Sequence, residues 1–359
     1  MRNVALEHRR VRYRRQKSTS GPPEYAMSLD LVPLWAGILA LAVFMYVLLD
    51  GFDLGVGILS AFAPDEPSRD LMMDSVAPIW DGNETWLVFG GVALYSAFPL
   101  AFAIIIPAVY FPILIMLIGL VFRGVAFEFR HLSGRRKLWN RSFHFGSVVA
   151  TFAQGLVLGT YVQGLPVVGR QFSGGSLEWA TPFALMTGAG LVVGYGLIGA
   201  CWLVMKTEGE LQAWARQKAI LLAFGVAAFI AMVSIWTPFL EPQIYRRWFA
   251  WPDLLLLSPV PVITLGLFVW LLRSLRSKRD VSPFIAALGL FLMCYLGLGI
   301  SIWPMAVPYT VTLWAASASS KSQGFLLIGT LFLLPIILMY TGWSYWVFRG
   351  KVAPGTGYR

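Results

Sequence analysis

The sequence predicts an all-α integral membrane protein with nine transmembrane helices, and three observations lead to this prediction. Of its 359 residues, 57% are hydrophobic and only 13% are charged, whereas soluble domains carry about 25% charged residues. Nine apolar runs approach or exceed about 20 residues, the length that crosses the roughly 30 Å hydrocarbon layer as a helix. The basic residues lie mostly between these runs, as expected for loops.

The nine runs follow one another along the whole chain after the first thirty residues. They cover 32–62, 76–97, 100–127, 143–162, 181–205, 219–239, 254–272, 283–307 and 325–348. The first and third runs are longer than a bilayer requires, so we expect these helices to tilt or to project beyond it. Several runs contain proline, which membrane helices tolerate where neighbouring helices satisfy the freed carbonyls.

The distribution of Lys and Arg predicts the orientation of the chain. Cytoplasmic loops carry the excess of these residues. Sixteen of them follow odd-numbered runs or lie in the tail: Arg69, Arg130, Arg135, Arg136, Lys137, Arg141, Lys206, Arg216, Lys218, Arg273, Arg276, Lys278, Arg279, Arg349, Lys351 and Arg359. The loops after even-numbered runs hold only Arg170, Arg246, Arg247 and Lys321. We therefore expect the amino terminus outside and the carboxyl terminus in the cytoplasm.

Residues 1–26 contradict this pattern because they carry seven basic residues on the side assigned as outside. They lack the apolar core of a signal peptide. Either the first helix starts with its flank inside, or translation begins at Met27 and the leader is an annotation artefact. We favour the second explanation, with 27–359 as the nine-helix membrane domain.

The composition also argues against several site classes. Cys201 and Cys294 both lie within apolar runs, so a disulfide framework or a cysteine metal site is not expected. His131 and His144 lie beside a basic loop and are interpreted as interfacial polar residues. We predict no metal site in this chain. The formal charge of +10 follows the membrane topology and does not indicate nucleic acid.

Four acidic residues lie inside the first two runs. An ionisable residue within a membrane span suggests a functional site. Asp50 and Asp53 belong to the segment 50–57 (DGFDLGVG), and Asp81 and Glu84 to 81–86 (DGNETW). Each pair is spaced i, i+3, which puts its members on one helix face. With the predicted orientation, all four share the cytoplasmic half of the membrane with Arg123.

Carboxyl groups in a low-dielectric setting can hold and pass protons, so these acids could form a relay leading inward from the cytoplasm. Asn83 and Thr85 would add hydrogen bonds along it. The structural alternative is that Asp50 or Asp53 pairs with Arg123 and ties three helices together. Both interpretations fit the sequence.

Two tryptophans differ from those at helix ends, which anchor the protein at the interface. Trp80 and Trp86 flank the acidic motif inside the second run. Either ring could pack against a quinone head or a partner, and simple core packing is an equal alternative.

Three segments resemble subunit II of cytochrome bd-type quinol oxidases. They are 50–57 (DGFDLGVG), 78–87 (PIWDGNETWL) and 122–130 (FRGVAFEFR), with weaker agreement at 308–314 (PYTVTLW). The resemblance covers nearly everything from Leu29 to Gly350. Three ordered motifs at the right separation make chance similarity implausible.

The resemblance implies a function and a partner. Subunit I of this family carries the b-type haems and haem d and oxidises quinol, and the complex reduces dioxygen to water with protons taken from the cytoplasm. The chain would be the non-haem subunit in the bacterial cytoplasmic membrane, with nine helices as two four-helix bundles plus one peripheral helix. Small accessory subunits can join such a complex, and some members hold a structural quinone in subunit II.

The resemblance also implies residue roles. The family's proton pathway corresponds to Asp50 and Asp81, with Asp53, Asn83, Glu84 and Arg123 in support. Position 84 is an amide in some relatives, so Glu84 is given only a supporting role.

Two other classes of function compete with this one. A proton-coupled secondary transporter would also bury carboxyl groups, but transporters usually have repeated halves with matching interrupted helices. Here the acidic motifs occur only in the first two runs. The third possibility is a structural subunit that stabilises the haem-bearing one and conducts no protons.

Overall fold

The computed structural model describes residues 30–132 and 134–352, without the side chain of His131. The basic leader and the proposed start at Met27 lie outside the described residues. The described helices are α1 (Leu31–Ser60), α2 (Glu66–Asp74), α3 (Trp80–Ala97), α4 (Pro99–Ala108), α5 (Tyr110–Leu132), α6 (Arg136–Gln163), α7 (Pro182–Lys206), α8 (Gly209–Leu240), α9 (Pro242–Phe249), α10 (Asp253–Leu257), α11 (Pro259–Arg276), α12 (Ser282–Ile302), α13 (Leu313–Ala316) and α14 (Ser320–Val347).

Four very short strands form two antiparallel pairs in the loops between helices. Strand β1 (Val167–Val168) pairs with β2 (Gln171–Phe172), between α6 and α7. Strand β3 (Met305–Val307) pairs with β4 (Val311–Thr312), between α12 and α13, with an irregular register. The rest of the regular structure in the described residues is helical, which agrees with the all-α prediction.

Eight helical stretches in the described residues are long and apolar enough to cross a membrane. They are α1, α5 up to Arg130, α6, α7, α8, α10 with α11, α12 and α14. Helix α3 corresponds to the predicted second run and has 18 residues, about 27 Å of helix. It is not among the eight because Asp81, Asn83 and Glu84 in its first turns lower its hydropathy. An integral membrane protein is therefore confirmed, whereas the ninth crossing and the bundle arrangement stay predictions.

The prediction that the third run forms a single helix over 100–127 was wrong. The helix is interrupted at Val109: α4 ends at Ala108, and α5 begins at Tyr110. Pro112 explains the position of the break, because a proline ring clashes with the carbonyl four residues earlier, here that of Ala108, and donates no backbone hydrogen bond. The eighth predicted run also ends early, because residues after Ile302 enter β3.

Three pairs of helices, α1 with α7, α5 with α6 and α6 with α7, approach until their backbones touch, and glycine makes each contact possible. A Cβ added to Gly55 of α1 would lie 1.9 Å from the Tyr195 carbonyl oxygen of α7, beside Gly199. A Cβ added to Gly146 of α6 would lie 2.6 Å from the carbonyl oxygen of Gly119 on α5. Small residues permit such close crossings between membrane helices. Together with α3, these contacts bury every residue of α1 from Asp50 to Ser60.

Helix α2 is joined to α5 and α6 by ionic contacts. Its amino terminus is capped by Asp65, which accepts a hydrogen bond from the Ser68 backbone at 2.8 Å. Arg130 of α5 is buried, forms an ion pair with Asp70 and donates to Asn140 of α6 at 2.7 Å. Glu128, two residues before Arg130 on α5, is exposed, so Arg130 pairs with α2 and not with its neighbour on α5.

Asp70 gives this ionic contact a predictable pH dependence. Partial burial raises the pKa of Asp70, but hydrogen bonds and charge from Arg130 and Arg136 outweigh it, so the pKa lies below its ordinary value. A lowered folded-state pKa stabilises the protein above the unfolded pKa of about 3.9, and this contribution disappears as pH falls through the folded value. The carboxylate must therefore be ionised to hold α2.

We expect Asp70→Asn to lower the unfolding temperature of the purified protein by roughly 2 °C at neutral pH, since Asp70 is partly exposed. The difference from the unchanged protein should shrink as pH falls through the folded pKa of Asp70. Thermal unfolding between pH 7 and pH 3 measures it. Glu128→Gln on α5 is the matched control without an ion pair, and a pH-independent effect of Asp70→Asn would contradict the assignment.

Candidate functional site

Arg123 connects the two acidic motifs and is fully buried. From α5, its Nη1 donates to Asp50 Oδ1 of α1 at 2.6 Å, and its Nη2 forms an ion pair with Glu84 Oε1 of α3. The side chain of Arg123 is 0% exposed and that of Asp50 is 1% exposed. The expected pairing of an acid with Arg123 is present, but it involves Asp50 and Glu84, not Asp53. One guanidinium thus links three helices.

Asp53 is the buried acid next to this ion pair, and it is held by neutral groups. Asn83 Nδ2 donates to Asp53 Oδ2 at 2.7 Å, and the Tyr345 hydroxyl of α14 donates to Asn83 Oδ1 at 3.0 Å. The other oxygen, Oδ1, is buried without a hydrogen-bond partner among the described residues. Among the described residues, Asp53 therefore has no full counter-charge of its own.

We call Asp50, Asp53, Asn83, Glu84 and Arg123 the Arg123 cluster. It contains three carboxyl groups and one guanidinium, so complete ionisation would leave an excess negative charge in a buried site. Such an excess is costly, and the cluster can avoid it by binding protons. The arrangement therefore suits the uptake and release of protons without any metal.

Asp81 lies apart from the Arg123 cluster. Its side chain is exposed on the surface of this chain, in a stripe of α3 that continues through exposed Thr85, Val88, Val92 and Tyr95. Residues three apart on a helix differ by about 60° in direction, and this difference turns Asp81 outward while Glu84 reaches Arg123. The i, i+3 spacing had suggested that Asp81 and Glu84 share one environment, but in the structure they do not.

The two tryptophans of the second motif have structural partners. Trp86 is completely buried, so it offers no surface to a quinone or a partner, and that interpretation was wrong for this residue. Trp80 stacks on Phe127 of α5 with ring centroids 5.2 Å apart, and the Arg123 guanidinium lies 5.7 Å from the Trp80 ring. Trp80 therefore packs against the cluster itself.

Sequence reasoning missed a buried polar chain next to Asp50. The Tyr195 hydroxyl of α7 donates to Gln154 Oε1 of α6 at 3.0 Å, and Gln154 Nε2 donates to the Tyr46 hydroxyl at 2.8 Å. Tyr46 lies one helical turn before Asp50 on α1. The only signal in the sequence was a lone glutamine in an apolar run.

His144, whose side chain the structure describes, has a structural role. The ring of His144 lies edge-on to Phe62, and its Nδ1 is 3.3 Å from the Gly57 carbonyl oxygen, which accepts a hydrogen bond. Among the described residues, no group of three or more His, Cys, Asp or Glu side chains could hold a metal ion.

Comparisons with known proteins agree on one family. A family model described as "Cytochrome bd terminal oxidase subunit II" matches residues 31–348. The chain is 28% identical to "Cytochrome bd-I ubiquinol oxidase subunit 2" of Escherichia coli (strain K12), covering 89% of this chain and 94% of the relative. It is 29% identical to "Cytochrome bd ubiquinol oxidase subunit 2" of Bacillus subtilis (strain 168), covering 90% and 97%.

A solved structure supports the fold. A chain in the bd oxidase of Geobacillus thermodenitrificans superposes with a TM-score of 0.68 at 19% identity, covering 89% of this chain and 99% of that one. At this identity the likeness concerns the fold alone.

Proposed function

Because the chain belongs to the family of cytochrome bd terminal oxidase subunit II, we propose that it supplies cytoplasmic protons to a haem-bearing partner subunit. The protein is a subunit of a terminal quinol oxidase, an oxidoreductase of the respiratory chain in the bacterial inner membrane. This membership argues against the proton-coupled transporter. The remaining question is what this subunit does within the complex.

The observation that carries the proposal is the Arg123 cluster. Two buried carboxyl groups, Asp50 and Asp53, and the partly buried Glu84 surround one guanidinium and form a site that can exchange protons. The predicted orientation, with the amino terminus outside and nine crossings, puts the cluster in the cytoplasmic half of the membrane. Protons consumed when dioxygen is reduced to water would then enter through Asp50 and Asp81, with Asp53, Asn83, Glu84 and Arg123 in support.

The exposure of Asp81 supports a role at the boundary with subunit I. A carboxyl group facing lipid is costly, so an exposed acid in a membrane helix calls for a protein or water-filled surrounding. We propose that the α3 stripe from Asp81 to Tyr95 contacts subunit I, which would bring Asp81 close to the proton-consuming subunit. Asp50, the second acid of the proposed pathway, is buried among the helices of this subunit.

We assign the b-type haems and haem d to subunit I. An axial haem ligand would need a suitably buried His, Met or similar side chain, and His144 is only partly buried, with its ring edge-on to Phe62. The chain's own contribution is then to bind, hold and pass protons. A structural quinone and small accessory subunits have no assigned contact in the described residues.

Asp81→Asn tests proton supply against a purely structural role. We expect oxygen consumption by the purified complex to fall about tenfold or more, because a positioned proton donor is worth at least that factor, while the haem spectrum is retained. Asp253→Asn, an exposed acid at the start of α10, is the matched control and should keep full turnover. Unchanged turnover in Asp81→Asn would favour the structural subunit.

A further inference from the structure

A small cavity lies between α3 and α14, at the edge of the Arg123 cluster. Its volume is about 10 Å³, which is close to the minimum space that one water molecule needs. The residues that line it include Gly82 and Asn83 of α3 and Tyr340, Thr341, Ser344 and Tyr345 of α14. Because most of these side chains carry a hydroxyl or an amide, the cavity suits water better than an apolar group.

Thr341 brings an unused polar atom to this cavity. Its Oγ1 is buried and has no hydrogen-bond partner among the described residues, which is costly for a hydroxyl group. By contrast, Thr264 of α11 donates to the Val260 carbonyl one turn earlier on its own helix, at 2.8 Å. A water molecule in the cavity would satisfy Thr341. The Tyr345 hydroxyl, which donates to Asn83 Oδ1 at 3.0 Å, can accept a hydrogen bond from the same water.

The cavity lies close to one end of both helices. Gly82 belongs to the first turn of α3, and Tyr345 to the last turn of α14. Tyr340, which also lines the cavity, is 57% exposed on this chain. With the predicted orientation, these helix ends face the cytoplasm. Water can therefore reach the cavity from the side on which the proposed pathway takes up protons.

Asn83 separates the cavity from Asp53. Its Nδ2 donates to Asp53 Oδ2 at 2.7 Å and to the Leu49 carbonyl at 3.3 Å, while its Oδ1 accepts from Tyr345. An amide held in this way does not pass a proton, because its nitrogen only donates and its oxygen only accepts. Asp53 nevertheless has a second oxygen, Oδ1, that is buried without a partner among the described residues.

We propose that the cavity between α3 and α14 binds water and forms a second proton inlet, which opens to Asp53 when the Asn83 side chain turns aside. Each transfer moves one proton from the cavity water to an Asp53 carboxylate oxygen, and the water regains a proton from the cytoplasm. Asn83 must first release its hydrogen bonds, so this inlet is slower than entry at the exposed Asp81. The inference rests on the proposed function, since it requires the Arg123 cluster to exchange protons during turnover.

The second inlet predicts that Thr341→Val and Asp81→Asn reinforce each other. Thr341→Val removes the hydroxyl that would hold the water and keeps the branched shape. Alone, it should slow oxygen consumption by the purified complex less than about twofold, because most protons still enter at Asp81. In the Asp81→Asn background it should lower the remaining turnover by about tenfold or more, as expected when the last proton donor is lost.

Thr264→Val is the matched control, because the Thr264 hydroxyl bonds only to its own helix. It should leave turnover unchanged in both backgrounds. If Thr341 had a merely structural role, Thr341→Val would slow both backgrounds by the same factor, and this result would overturn the second inlet. So would an Asp81→Asn complex that retains no turnover at all.

Gly82→Ala is the second variant if Thr341→Val does not assemble. The new Cβ would lie 3.2 Å from the Tyr340 ring and 3.9 Å from its hydroxyl oxygen, which narrows the cavity. The same reinforcement with Asp81→Asn is expected. Gly342→Ala, next to Thr341 on α14, is its control, because a Cβ at Gly342 meets nothing within 4 Å in this chain.

The water itself is observed in a high-resolution density map of the assembled complex. We expect an ordered water about 3 Å from both Thr341 Oγ1 and the Tyr345 hydroxyl oxygen, and its loss in Thr341→Val. A cavity without density, in a map that shows other buried waters, would overturn the site.

The two proposals can fail separately. Full turnover in Asp50→Asn and Asp81→Asn would remove the proton pathway of the proposed function. Slow turnover in Asp81→Asn, with no further loss when Thr341→Val is added, would remove only the second inlet.

Discussion

Replacing Arg123 with leucine is expected to prevent accumulation of the assembled oxidase. In the described part of the chain, Arg123 is the one basic side chain that pairs with Asp50 and Glu84. Removing one partner of a buried ion pair costs about 3–5 kcal/mol, because the remaining charge is left uncompensated. Here two carboxyl groups lose their partner at once. The amount of haem-containing complex in the membrane measures the effect.

A triple variant that also removes both acidic partners separates the loss of charge compensation from the loss of packing. Combining Arg123→Leu with Asp50→Asn and Glu84→Gln removes both acids, and it should restore assembly without restoring turnover. Arg273→Leu, an exposed arginine at the end of α11, is the control and should assemble normally. Normal assembly of Arg123→Leu alone would mean that the cluster does not need its cation.

Arg123→Lys is expected to assemble but to be slower. Lysine keeps the charge but has no planar fork, so it cannot hold Asp50 and Glu84 in the two-sided arrangement seen for the guanidinium. This variant shows whether the cluster needs only a positive charge or also the geometry of arginine.

Gly55→Ala is expected to have the second largest effect. The new methyl group would lie 1.9 Å from the Tyr195 carbonyl oxygen, and the nearby backbone of Gly199 leaves no flexible side chain to move aside. Helices α1 and α7 would have to separate. Overpacking costs about 1–3 kcal/mol, so we expect the unfolding temperature of the complex to fall by roughly 5–10 °C.

Gly37→Ala is the matched control on the same helix. A Cβ at Gly37 meets nothing within 4 Å in this chain, and alanine favours a helix over glycine. It should leave the unfolding temperature unchanged or slightly higher. An equal fall in unfolding temperature in Gly55→Ala and Gly37→Ala would indicate that the contact between α1 and α7 is not the cause.

Much of the site could be predicted because charge inside an apolar run is easy to recognise. The acidic motifs and Arg123 were identified from the sequence, and the structure brings Asp50, Glu84 and Arg123 together. The spacing of the acids did not reveal which one pairs with Arg123, since this depends on how each helix is rotated about its own axis. Only the packing of α3 against α1 and α14 determines that rotation.

Other features depended on contacts between distant segments. Nothing near Gln154 in sequence indicates Tyr46 or Tyr195, which lie on two other helices. The division between α4 and α5 had a local signal in Pro112, but proline is tolerated in many membrane helices, so its presence alone did not predict a break. The burial of Trp86 likewise depends on neighbours that the sequence does not reveal.

Because Arg123 of α5 pairs with both Asp50 of α1 and Glu84 of α3, its two contacts depend on the relative heights of these three helices. Sliding α1 past α5 by a single residue changes their relative height by about 1.5 Å, and a shift of this size along the 2.6 Å contact between Arg123 and Asp50 would lengthen it beyond hydrogen-bonding distance. A movement during turnover that keeps both contacts of Arg123 would therefore leave the relative heights of α1, α3 and α5 at this level nearly unchanged.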